Sequence, residues 1–137
     1  MWQFQHSVTK NNLSKEQIWA VWSDVANWKD WDDDLISSEG NFINDSIIVL
    51  KPKNGPRITA SLVCKPYDSF TVKCGLPLGT KLEFSHFLTQ TSSGLQITHG
   101  IMIKGPLTFL FKYFIGKTVQ RNLPTAMNKL LLIASSK

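Results

Sequence analysis

What the sequence lacks narrows it first. It has only two cysteines, Cys64 and Cys74, with no CxxC spacing. That is too few for a disulfide framework, so both are expected to be reduced and buried. No stretch offers about 20 uninterrupted apolar residues, and the opening MWQFQHSVTK alternates apolar with polar rather than forming a signal-type run. A cytoplasmic protein is therefore expected. GxGxxG and GxxxxGKS/T loops are absent, which removes the usual cradles for nucleotide phosphates, and there is no GxSxG elbow to activate a serine. Repeats, linkers and low-complexity tracts are missing too, leaving one domain over residues 1–137.

What is present is ordinary globular composition, 42% hydrophobic and 18% charged. The net charge of +5 permits contact with an acidic partner, such as a transient contact with an anionic membrane surface. The lysines are scattered rather than run together, which disfavours nucleic acid. Oligomeric state is not legible.

Trp2, Phe4, His6 and Val8 alternate with Gln3, Gln5, Ser7 and Thr9, the period of a half-buried strand. Ser14 followed by Gln17 is a capping-box pattern, starting a helix whose inner face is Ile18, Val21, Trp22 and Val25. Asp24 or Asn27 is placed to cap a second short helical turn carrying Trp28 and Trp31. From Leu35 to Ile103 strand periods alternate with turn chemistry. The predicted strands are Leu35–Gly40, Ser46–Lys51, Arg57–Lys65, Ser69–Cys74, Thr80–Thr91 and Leu95–Lys104. One face of these strands is apolar and the other polar, as in an antiparallel sheet covered on one side only.

The cover is the last stretch, Gly105 to Lys137. Leu107, Leu110, Phe111, Phe114 and Ile115 share one helical face, and Val119, Leu123, Ala126, Leu130, Ile133 and Ala134 share another. The two stripes are rotated by roughly a third of a turn at about 100° per residue. A helix break at Gly116, with a later bend at Pro124, is the expected cause. The aromatic segment Leu107 to Ile115 is then a candidate gate.

The segments WSDVANWKDWDDDL and GPLTFLFKYFIGKTVQRNLPTAMNKL resemble those of small polyketide cyclase/dehydrase and lipid-transport proteins. These form the SRPBCC superfamily, which also holds START domains and the birch pollen allergen. The resemblance spans the chain and implies an α+β helix-grip fold. In that fold a curved seven-stranded antiparallel sheet wraps around a long C-terminal helix, and two short helices follow strand 1. It implies no cofactor, and a cavity between sheet and helix suited to a small hydrophobic molecule: a lipid, isoprenoid, quinone or aromatic polyketide. Binding or transport is the leading expectation. The alternatives are a cyclase or dehydratase and a co-chaperone-like interaction module, since fold alone does not fix function.

His6, His86 and His99 all have inward parity, and aligning the apolar faces of the last two strands sets His86 against His99. Three readings stay open. They are core histidines bonded to backbone or to Tyr113, ligand contacts, or acid/base groups working with Tyr113. A zinc site is not expected, because the strand spacing constrains the three imidazoles loosely. Nor is calcium, because the run Asp30, Asp32, Asp33, Asp34 lacks a loop's turn glycine and closing glutamate and reads as a solvated cap and turn. The expected ligand contacts are Phe4, His6, Trp28, Trp31, Leu62, Phe70, Phe84, His86, His99, Ile101, Phe111, Phe114, Leu123 and Met127.

Overall fold

A computed structural model describes residues 1–137. Its seven strands are β1 (Trp2–Lys10), β2 (Leu35–Gly40), β3 (Ile47–Pro52), β4 (Ile58–Lys65), β5 (Ser69–Gly75), β6 (Lys81–Thr91) and β7 (Gly94–Lys104). They form one antiparallel sheet in the order β1-β7-β6-β5-β4-β3-β2. Predicted boundaries and observed ones differ by a residue at most. Turn chemistry explains the accuracy: Tyr67 takes a left-handed φ of 59° in the β4–β5 turn, and Gly94, at φ 134°, carries the β6–β7 turn. A side chain on Gly94 would come within 2.6 Å of the Lys10 carbonyl oxygen, so the turn also seats the end of β1.

α1 (Lys15–Trp22) starts with the expected capping box. The Gln17 N–H donates to Ser14 Oγ at 3.2 Å, and the Ser14 N–H donates to Gln17 Oε1 at 2.9 Å. A 3-10 helix, Val25–Asp30, follows. Asp24 stands at its N-cap position but accepts from the Asn27 side chain at 2.8 Å instead of from the backbone. Trp28 and Trp31 are both buried, and the Trp28 indole donates to the Trp22 carbonyl at 2.8 Å.

The C-terminal stretch corrects one expectation. Its helix does not break at Gly116, whose φ of −58° and ψ of −46° are those of ordinary helix. α2 (Thr108–Phe111), a π-helical turn (Lys112–Gly116) and α3 (Lys117–Ser135) run on as one helix of 28 residues. The Lys117 N–H donates to the Lys112 carbonyl five residues back. A π turn holds one residue more than an α turn, so it rotates the apolar stripe without interrupting the helix. Glycine is needed at 116 for a different reason: a β-carbon there would lie 2.6 Å from the Trp2 ring. α3 also passes through Pro124 without ending.

α3 packs chiefly on α1, β1 and β7. It therefore covers one flank of the concave face and stands off from the strands beyond. Two polar ties hold its middle to the loop after the 3-10 helix: Lys129 Nζ with the Asp33 carboxylate at 2.6 Å, and Asn122 Nδ2 donating to Asp34 Oδ1 at 2.9 Å. At its start, the Leu107 N–H donates to Oγ1 of the buried Thr80 at 3.0 Å.

Candidate ligand cavity

One end of the concave face is filled by rings. Phe70 on β5 stacks on His86 of β6 with centroids 3.8 Å apart and planes 3° from parallel, while Trp22 and Trp28 close over Phe70 at 5.0 and 5.6 Å. His86 and His99 are cross-strand partners, as the pattern predicts, with ring centroids 4.6 Å apart. His6 pairs in register with His99 from β1. The histidines thus form a row across three strands, yet no cluster of three metal-ligating side chains is spaced to hold an ion.

Burial decides the protonation of the inner two. It pushes the His86 pKa down to about 3, and it holds His99 well below the ordinary value, with the neighbouring His86 and His6 adding to the effect. Both are neutral at pH 7. His86 Nδ1 lies 3.1 Å from the Phe70 carbonyl oxygen, which can only accept, so the proton sits on Nδ1 and the His86 Nε2 lone pair is left bare. That bond is the one a core histidine makes to backbone, and the same ring borders the cavity described below. His99 differs: its Nε2 is buried with no partner in the protein, and the same holds for Nε1 of Trp31 and Trp22. The rings of Trp31 and Trp22 lie 5.7 and 5.8 Å from that of His99.

Beyond this plug, where α3 stands off, a cavity of about 640 Å³ lies between sheet and helix. Leu50, Ile58, Val72 and Leu82 line the sheet side; Phe111, Ile115, Val119 and Leu123 line the helix side. The volume is within the roughly 300 to 1,000 Å³ common to small-molecule sites. Its inner end is bounded by Trp31, His86 and His99, and its rim carries Asp32, Lys53 and Arg57.

Of the residues expected to meet a ligand, Trp28, Trp31, Phe70, Phe84, His86, His99, Phe111, Phe114 and Leu123 line this cavity. Five others do not. Leu62, Ile101 and Met127 are spent in the packed core, and Phe4 and His6 lie on β1, under the part of the sheet that α3 covers. Tyr113 is not brought to the histidines at all. It is 69% exposed on the outer face of the π turn, with the Lys112 ammonium 5.6 Å from its ring centroid. The phase shift of the π turn turns it outward.

The expected contacts left out much of the apolar lining, including Leu50, Ile58, Val72, Leu82, Ile115 and Val119, and they left out Asp32. Its Oδ1 accepts from the Asp34 N–H at 3.0 Å, as a turn aspartate should, but the carboxyl also borders the cavity. Burial raises its pKa to about 6, and the charges of Asp34 and Asp33 add to the rise. Asp33 and Asp34 border the same cavity; four acidic residues in five positions signalled a turn, and nothing in the run marked Asp32 as the one that burial singles out.

Solved structures share this architecture at low sequence identity. A protein from Mesorhizobium loti aligns over 99% of this chain and 98% of its own at a TM-score of 0.76 and 11% identity. The Zhui aromatase/cyclase from a Streptomyces species aligns over 97% and 93%, at 0.69 and 15%. The Aha1 dimer subunit from Colwellia psychrerythraea aligns over 95% and 93%, at 0.68 and 15%. No protein-family profile and no curated protein matches the chain. The fold they share with this chain is the helix-grip fold, a seven-stranded antiparallel sheet with a long C-terminal helix.

Proposed function

We propose that this chain binds a small apolar molecule carrying a hydrogen-bonding oxygen, and acts as a carrier or sensor for it. The observation that supports this most is the pair of unpartnered polar atoms, Trp31 Nε1 and His99 Nε2, on residues bounding the inner end of an apolar cavity. A buried donor without an acceptor costs about 1 to 3 kcal/mol. A small rotation of either ring toward the cavity lets a ligand carbonyl, hydroxyl or quinone oxygen recover that cost, and apolar walls take the rest of the molecule. Lipids, isoprenoids, quinones and aromatic polyketides all fit the description, and an aromatase/cyclase is among the proteins with this fold. The cavity is also larger than a collapsed interaction module requires.

One observation favours a second reading, a cyclase or dehydratase. Tyr113 is too far outside to serve, and neutral His86 and His99 are poor acids, but Asp32 titrates near pH 6 beside the same cavity. A group with its pKa close to the working pH is suited to move protons. Turnover of a reactive polyketide analogue that Asp32→Asn abolishes without weakening its binding supports this second reading.

Organic extraction of freshly purified protein, followed by mass spectrometry, tests the main proposal. An oxygen-bearing apolar compound is expected to copurify and to be lost from Val119→Trp, which fills the cavity. A clean extract, together with no binding of any apolar probe, overturns it.

A further inference from the structure

Two segments meet at the cavity mouth. The loop Pro77–Gly79 leads into β6, and Gly105 leads into α2. They are locked together: a side chain on Gly105 would come within 2.7 Å of Thr80 Cα, and the Leu107 N–H donates to Thr80 Oγ1. Both present large apolar side chains to solvent. Leu78 is 76% exposed, Phe109 67% and Phe114 71%, with Tyr113 alongside.

Leu78 is the most telling. Its φ of 58° and ψ of 34° lie in the left-handed region that disfavours residues with a β-carbon. A glycine or asparagine would relieve that strain, and the exposed leucine side chain packs too little to compensate the fold. The strain points to a use outside the fold.

Charge around this patch has one sign. Lys81 and Lys104 are direct cross-strand partners between β6 and β7, and like charges so placed repel unless something anionic lies over them. Lys112 and Lys117 follow on the helix. No aspartate or glutamate occurs after Glu83, which itself pairs in register with Lys73.

We infer that this face docks on a bilayer surface bearing anionic lipid. Leu78, Phe109, Tyr113 and Phe114 enter the interfacial layer, and the four lysines face the headgroups. The mixture decides between occupants. Protein–protein interface cores are depleted in lysine, whereas interfacial helices combine aromatic and aliphatic side chains with lysine rims. The contact is peripheral, since no helix is long and apolar enough to cross a membrane. It places the cavity mouth toward the bilayer and stands independently of what the cavity holds.

Co-sedimentation with vesicles tests it, using phosphatidylcholine alone against phosphatidylcholine mixed with phosphatidylglycerol. The wild type is expected to bind the anionic vesicles, less at raised salt, and to bind the neutral ones weakly. Leu78→Asn and Phe109→Ser, neither of which lines the cavity, should together lower that binding about tenfold. The melting temperature of Leu78→Asn should be unchanged or raised. Lys81→Glu with Lys104→Glu should remove the preference for anionic lipid. Three outcomes overturn the inference: no binding to anionic vesicles, equal binding by the variants, or self-association that these substitutions abolish while vesicles are ignored. The last identifies a second copy of the chain as the occupant.

Discussion

The two ends of one concave sheet face carry the same apolar alternation and end up different. At the Phe70 end, Trp22, Trp28 and the two inner histidines fill the space ring against ring. At the Ile58 and Phe84 end, α3 stands away and leaves a cavity. Side-chain parity is identical at both. The difference comes from where the helix is anchored: Gly116 against Trp2, together with α1, holds it toward β1 and β7. Hydrophobic pattern says which side chains face inward; anchoring decides whether anything meets them.

The sharpest way to test that contrast is to truncate one phenylalanine at each end. Phe70→Ala removes a fully buried ring and should cost about 4 kcal/mol in urea denaturation. Phe84→Ala, on a half-buried ring bordering the cavity, should cost about 2 kcal/mol or less because the space around it is already open. Equal losses would break the distinction between a packed end and a hollow one.

Acid attacks the packed end next. His86 titrates near 3 when folded, against about 6.5 when unfolded. Between those values the unfolded chain binds the proton first, so stability is fully present above pH 6.5 and declines as pH falls. The loss from His86 alone should reach about 2 kcal/mol at pH 5, and His99 adds to it in the same direction. Melting temperature followed from pH 7 to 5 should fall, and His86→Phe should flatten the curve. A profile unchanged by that substitution would contradict the burial of a neutral imidazole.

At the open end the sign reverses. Asp32 is raised to about 6 when folded, above its unfolded value, so its contribution is full below pH 4 and is lost as pH rises through 6. Asp32→Asn keeps the oxygen that accepts from the Asp34 N–H and should stabilise the fold at pH 8 by about 1 kcal/mol, after allowance for partial exposure. The gain should vanish at pH 4. The smallest effect belongs to Tyr113→Phe: within about 0.5 kcal/mol of wild type in stability, with ligand affinity unaltered. A loss of affinity there would return Tyr113 to the cavity.

Fold and register were legible because strand period, turn chemistry and the capping box agree with one another. His86 opposite His99 follows from strand parity and turn position alone. What escaped depends on three-dimensional clearance. Leu62, Ile101 and Met127 have inward parity yet sit in the packed part of the core, because parity carries no information on depth. The π turn produced the observed stripe rotation, but a swivel at Gly116 predicts the same rotation. The glycine was explained only by the Trp2 ring beside it. Asp32 was hidden among neighbours of identical charge. A propensity scale sees four carboxylates, not the one that burial selects.

The central claim is an apolar cavity whose inner end wants an oxygen. The most direct measurement compares 2-tetralone with tetralin, the same bicyclic skeleton without the carbonyl, in displacing a fluorescent apolar probe from the protein. Both are expected to displace it, with the ketone binding about tenfold tighter, and Trp31→Phe should erase the preference while leaving tetralin unchanged. Equal affinities in the wild type, or no displacement by either, would contradict it.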